Sequence, residues 1–224
     1  NGVLEYAMSF TEGDTPYETF LGKMGSYLKN TGKLLIAIEN KLGMKYFAGA
    51  RKIIRTFPSL ESMVIREITV SEHFPNRIAG TCEKKRISFS KIYYPYPDYK
   101  FPTEIFTDAS LTTNHYGKNY PIYTDKTVDL FSESAGIEAM KKEQIADRFV
   151  NSFLLVAGKQ ELEEKEEILY VKLNQGRRKE FRTLTQLIRK EESVWAEEKT
   201  TVPGGRKLYS RTEKNRSAET RKRF

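Results

Sequence analysis

Apolar positions change period twice within the first forty residues. After Thr15-Pro16 they fall at Tyr17, Phe20, Leu21, Met24 and Leu28, the spacing of one helical face. Thr15 is placed to cap that helix, Pro16 suits its first position, and Glu18 stands three residues beyond the cap to close a capping box. Asn30-Thr31-Gly32 then stops it. Leu34-Leu35-Ile36-Ala37-Ile38 is apolar without alternation, the pattern of a strand buried on both faces in a parallel sheet. Asn1–Glu5 reads as the end of another strand, so the opening predicts strand–helix–strand, one right-handed crossover unit. Functional groups in such sheets gather at the carboxyl ends of strands. Here those ends carry Glu5-Tyr6 and Glu39-Asn40.

Farther on, Lys91–Tyr94 reads as a strand running into "YPYPDYKFP", Asp129–Ala146 as a weakly patterned helical stretch, and Phe149–Ala157 as a second buried strand closed by Gly158-Lys159. A charged linker, Gln160–Glu167, separates these from Ile168–Leu173, Phe181–Ile188 and Val194–Glu198, which read as short strands of an antiparallel meander. The chain therefore divides into 1–160, a β-rich appendage or start of a second module over 161–200, and a basic, disordered tail over 201–224.

Composition narrows the classes. The 224 residues are 38% apolar and 30% charged, with a formal net charge of +8. Of that excess, a net +6 falls in Arg206–Phe224, where eight Lys and Arg face two Glu. A basic tail suits nucleic acid or an acidic membrane surface, but no aromatic platform or groove-reading motif accompanies it, so the expectation is a solvated terminus and no nucleic-acid partner. The single cysteine, Cys82, excludes an intramolecular disulfide and fits a reducing, cytoplasmic setting. No apolar run approaches the roughly 18 residues of a membrane span. The chain opens on Asn1-Gly2-Val3-Leu4 as if already inside a strand, which reads as the cut end of something longer.

Four blocks, "GVLEYA" (Gly2–Ala7), "GKLLIAIENKLGMKYFAGA" (Gly32–Ala50), "YYPYPDYKFPT" (Tyr93–Thr103) and "NSFLLVAGK" (Asn151–Lys159), resemble in order a group of bacterial class I S-adenosylmethionine-dependent methyltransferases associated with glycosyltransferases of cell-surface polysaccharide assembly. The resemblance implies an α/β fold: a partial Rossmann-like methyltransferase sheet, later strands only, with a C-terminal antiparallel β appendage. Asn1–Glu5 would be the fourth strand and Leu34–Glu39 the fifth. Lys91–Tyr94 and Phe149–Ala157 would be the last two, a hairpin at the far edge. It further implies S-adenosylmethionine as cofactor of the parent protein, with Gly2, Val3 and Leu4 against it, and a sugar or glycan acceptor. Glycosyltransferase modules would be its partners. The family's glycine-rich turn and ribose-binding acidic residue would precede Asn1, so this fragment by itself is expected to be inactive.

The resemblance stops after Ala50 and resumes near Ser90. The family's next block, Glu-Asp-His-Thr, can be written in codons for Ala50–Arg55 (GCA AGG AAG ATC ATA CG) read from the third base. Codons for Ser71–Pro75 (AGC GAA CAT TTT CC) at the same offset give Arg-Thr-Phe-Ser, another family block. The expectation is a compensated frameshift across about 51–88, with that segment poorly packed and its His73 and Cys82 without chemistry; a similar late shift is the weaker explanation of the tail.

For the chemistry, the sulfonium methyl needs alignment with a nucleophile and, for a hydroxyl acceptor, removal of a proton. Glu5 and Tyr6 are the candidate catalytic residues, and Glu39, Asn40 and Tyr46 the candidate acceptor-binding ones. Polar strand ends and a packed tyrosine are the structural alternatives. Tyr93, Tyr94, Tyr96 and Tyr99 resemble a sugar-stacking surface, but the interleaved Pro95, Pro97 and Pro102 favour a rigid connection with packed tyrosines. This surface would serve the rival function, a non-catalytic carbohydrate-binding or interaction module. Ile168–Lys199 also has a faint likeness to a kinase-like small lobe, in which Lys199 would pair with phosphate; a solvated appendage is the default. His115 has no spaced partners, so no metal site is expected.

Overall fold

The computed structural model describes residues 16–40, 42–50, 87–111, 130–160, 166–190, 193–200 and 209–213. Within these, helix α1 (Pro16–Tyr27) leads to strand β1 (Lys33–Glu39) and the one-turn helix α2 (Met44–Phe47). Strands β2 (Ser88–Tyr96) and β3 (Glu104–Phe106) follow, then helices α3 (Asp108–Leu111), α4 (Glu133–Lys142) and α5 (Ala146–Phe149). The chain continues through strands β4 (Ser152–Gly158), β5 (Glu167–Asn174), β6 (Thr183–Lys190), β7 (Ser193–Thr200) and β8 (Tyr209–Glu213). The strands form one eight-stranded sheet in the order β1-β4-β2-β3-β5-β6-β7-β8. The chain is thus α/β in content, with an antiparallel sheet among the described residues.

β4 is the centre of the first half. Ile36 and Ile38 of β1 oppose Leu155 and Phe153 on one side, and Ile92 and Tyr93 of β2 oppose Leu155 and Leu154 on the other. Both neighbours run antiparallel to β4, so β1 and β2 are parallel to each other with a reversed strand between them. Phe153, Leu155 and Ala157 are fully buried, as a central strand requires. α1 lays Leu21 into this core, and its Gly25 leaves room for Ile87 just ahead of β2. Leu21 and Phe20 of the helical face read from the sequence are therefore packed on the core; its cap, Thr15, lies outside the described residues.

Several expectations are corrected. The described partner of Leu34–Ile38 is antiparallel, and Leu35 is 60% exposed, so this run is not covered equally on both faces. The expected parallel neighbour, Asn1–Glu5, lies outside the described residues. The second buried strand begins at Ser152 rather than Phe149, because residues 146–149 make a helical turn. β2 and β4 do pair, but they are not a far edge: β3, three residues long, pairs with β2 and with β5 and carries the sheet on into the meander. β8 lies in the stretch expected to be a disordered tail, yet Tyr209–Glu213 pairs with β7. Ile87, within the segment expected to pack poorly, is 1% exposed in the main core; residues 51–86, with His73 and Cys82, lie outside the described part. Among the described residues no helix is long and apolar enough to cross a membrane.

Candidate functional site

The carboxyl ends of β1 and β2 and the amino end of β4 meet at a cluster of polar side chains. Glu39 closes β1, and three residues after a turn through Leu42 the helix α2 presents Lys45 back toward it. The Lys45 ammonium pairs with the Glu39 carboxylate and, at 2.6 Å, with Asp98 in the turn that leaves β2. All three side chains are at most 15% exposed. Burial works against the ammonium, but the charges of Glu39 and Asp98 and their hydrogen bonds outweigh it and raise the Lys45 pKa. Lys45 therefore stays protonated, and its charge also lies 5.1 Å from the Tyr46 ring centroid.

Asn151, just before β4, is the hub beneath these charges. Its Oδ1 accepts the Lys45 backbone N–H at 2.9 Å, and its Nδ2 donates to Pro97 O at 2.9 Å and to Glu133 Oε1 at 2.5 Å. Ser132 caps α4 by accepting from the Ala135 N–H, which sets Glu133 in the first helical turn. The Glu133 carboxyl is pushed above the ordinary carboxylate range by burial. Hydrogen bonds from Asn151 and Tyr96 and the Lys45 charge pull it down, while the Asp98 charge adds to the rise. Glu133 is thus disposed to exchange a proton closer to neutrality than an ordinary carboxyl.

The sequence candidates divide. Glu5, Tyr6, Gly2, Val3 and Leu4 lie outside the described residues, as does His115. Glu39 is in the cluster and Tyr46 flanks it. Asn40 sits beside it, 9% exposed, with its carboxamide fully engaged by backbone: Nδ2 donates to Arg148 O at 2.8 Å and Val150 O at 2.6 Å, while Oδ1 accepts the Leu42 N–H at 3.1 Å. Its main chain adds a bond from its N–H to Asn151 O. Asn40 therefore clamps the end of β1 to the entry of β4. The four tyrosines of the "YYPYPDYKFPT" block do not share a surface. Tyr94 and Tyr96 are buried, the first donating its hydroxyl to Asp108 and stacking edge-on with Phe153, the second bonding Glu133. Tyr93 and Tyr99 keep partial exposure, each beneath a lysine, Lys91 and Lys100. Lys199 pairs with its near neighbour Glu197 on β7.

Sequence reasoning missed Lys45, Asp98, Glu133 and Asn151 as one group. Asp98 and Asn151 both fall inside blocks singled out for resemblance, and Glu133 follows a helix-capping serine. What joins them is contact across 53 residues for Lys45 and Asp98 and 106 for Lys45 and Asn151, which no local period encodes. Among the described residues no three His, Cys, Asp and Glu side chains gather in a way that could hold a metal ion. The chemistry available is proton exchange at Glu133, fixed charge at Lys45, and carboxylate acceptors flanked by aromatic rings. No protein-family model, no curated protein and no solved structure matches this chain.

Proposed function

We propose that the chain forms the later strands of a class I S-adenosylmethionine-dependent methyltransferase acting on a sugar or glycan intermediate. One observation carries the reading: β1 and β2 run parallel and β4 is antiparallel to both, which supports the parallel fifth strand and the antiparallel closing pair that the resemblance implies, though not at a sheet edge. The polar cluster lies at the carboxyl ends of the two parallel strands, where ligands of open α/β sheets bind. When bound, the cofactor supplies an activated methyl on a sulfonium. The residues expected against it, Gly2, Val3 and Leu4, lie outside the described part. Glu39, Lys45, Asp98 and the flanking rings of Tyr46 and Tyr99 are a set suited to a polyhydroxylated acceptor, offering carboxylates and an ammonium to hydroxyls and ring faces to C–H groups.

Calorimetric titration of S-adenosylmethionine into the protein as its gene encodes it tests the reading. Saturable binding is the expected result. Absence of binding, together with binding of a glycan, would replace it with the non-catalytic carbohydrate-binding module.

A further inference from the structure

Large apolar side chains that stand in water are unevenly distributed over the described residues. Of the eight, five (Leu42, Phe47, Phe101, Leu130 and Phe131) belong to the segments that supply the polar cluster. Leu42 follows Glu39 by three residues, Phe47 follows Lys45 by two, Phe101 follows Asp98 by three, and Phe131 precedes Glu133 by two. Contacts draw these segments together. The Leu130 N–H donates to Ala48 O at 2.9 Å, and a Cβ on Gly136 would meet both Met44 Sδ and Phe131 Cε2 at 3.0 Å. Phe47 in turn meets Phe149, with 6.1 Å between ring centroids. We propose that this edge of the sheet docks on a bilayer surface bearing neutral sugar head groups, its apolar border entering the interface and its polar cluster meeting the head groups. This inference goes beyond the methyl-transfer reading and does not need it.

The arrangement decides between kinds of partner. A protein–protein interface has an apolar centre and a polar rim. Here the order is reversed: Glu39, Lys45, Asp98 and Glu133 form a shielded polar centre, and the exposed apolar side chains border it. Apolar side chains gathered in water around a polar site mark a surface that something covers. Leu and Phe side chains on one face are what interfacial proteins insert at the boundary between head groups and acyl chains. The polar centre then selects the head group. Its carboxylates and ammonium, already in contact with one another, can also accept from and donate to hydroxyls, which sugars carry in number. An anionic head group would instead meet Glu39, Asp98 and Glu133 with like charge. The basic residues of 206–224 are drawn to anionic surfaces whatever this edge does, and salt screens that attraction.

The test is flotation of the full chain with phosphatidylcholine vesicles in which diglucosyldiacylglycerol makes up about a third of the lipid. Binding is expected, and it should be unchanged between about 0.1 and 0.5 M salt, because these vesicles carry no net charge. Phosphatidylcholine alone should bind several-fold more weakly; equal binding overturns the head-group assignment. Leu42→Ser combined with Leu130→Ser is expected to lower binding about tenfold. These side chains are 50% and 70% exposed, so the fold should be little affected. Should the pair lower the melting temperature, Leu130→Ser alone is still expected to weaken binding about threefold. Absence of flotation overturns the docking. So does flotation that the serine variants keep in full, or that about 0.5 M salt abolishes, which assigns it to the basic residues of 206–224. A wild-type dimer that the double variant turns monomeric overturns it too, by making this edge a contact between copies. Flotation is read without S-adenosylmethionine, so a failed cofactor titration removes the enzyme and not the docking.

Discussion

Asn151 uses both its donors and its acceptor inside the fold, binding Lys45 N, Pro97 O and Glu133. Replacing it by alanine leaves a buried N–H, a carbonyl and a carboxyl without that partner at once, so Asn151→Ala is expected to cost about 2–4 kcal/mol in urea unfolding. Glu133 gives the pH dependence its sign. Its folded pKa lies above its unfolded value, so the stability it contributes is fully present below the unfolded pKa and is lost as pH rises through the folded one. Unfolding measured from acid to neutral pH should therefore show Glu133→Gln gaining on the wild type as pH rises; a constant difference would remove Glu133 from the pH response. Lys45, raised above 10.5, keeps its contribution below that value and loses it only in strong alkali, outside this window. At this scale the sequence was only partly legible. Glu39 and Asn40 could be placed at a strand end by pattern alone. That Asn40 would clamp backbone while Glu39 joined an ion pair depends on which distant carbonyls and charges arrive there, and pattern does not carry that.

The ends of the elements repay the same attention. α4 finishes with Glu143 as its cap, Gln144 at a φ of 60°, and two closing bonds, Gln144 N–H to Lys141 O and Ile145 N–H to Met140 O. That pair of bonds is a Schellman motif, whose left-handed position favours glycine. Gln144→Gly is expected to stabilise the protein by about 0.5–1 kcal/mol, read as a raised melting temperature. Gly43, ahead of α2, is the opposite case: an added Cβ would stand 3.0 Å from Asn151 Cα, Asn151 Oδ1 and Asn40 O. Because two of those atoms belong to the main chain, Gly43→Ala should cost about 1–3 kcal/mol by the same unfolding assay. Elements with strong local signals were readable. The helix following Thr15-Pro16 is α1; of the three strands of the meander, Ile168–Leu173 and Val194–Glu198 lie within β5 and β7, while Phe181–Ile188 starts two residues ahead of β6, because Phe181 ends a 3-10 turn, and stops two short of its end. β4 starts three residues later than its apolar run suggests, because Phe149 belongs to a helical turn and Val150 accepts a bond from Asn40 through its carbonyl. β3 escaped notice because three residues after a proline-rich stretch carry too little period to register; its pairing with β2 and β5 makes it a strand.

At the scale of the molecule that short strand matters most. The sequence suggests an appendage beyond a charged linker, whereas the sheet is continuous, and its continuity passes through Glu104–Phe106. Phe106 is fully buried opposite Tyr94 and Tyr170, with its ring centroid 5.1 Å from that of Tyr170. Glu104, also buried, accepts the Tyr170 hydroxyl at 3.0 Å and faces Lys172 at 3.6 Å. This joint couples a half built around β4 to a half in which β6 and β7 pair along their whole lengths. The chain carries one tryptophan, Trp195, and it lies on β7 opposite Ile188. Its fluorescence therefore reports the second half, while far-ultraviolet circular dichroism reports both. In the wild type the two urea transitions are expected to coincide, since Tyr170 of β5 packs against the main core. Phe106→Ala should cost about 3–5 kcal/mol and, by emptying the joint rather than either half, should draw the two transitions apart. If both instead shift together, contacts other than β3 couple the halves, and the joint is a packing site like any other in the core.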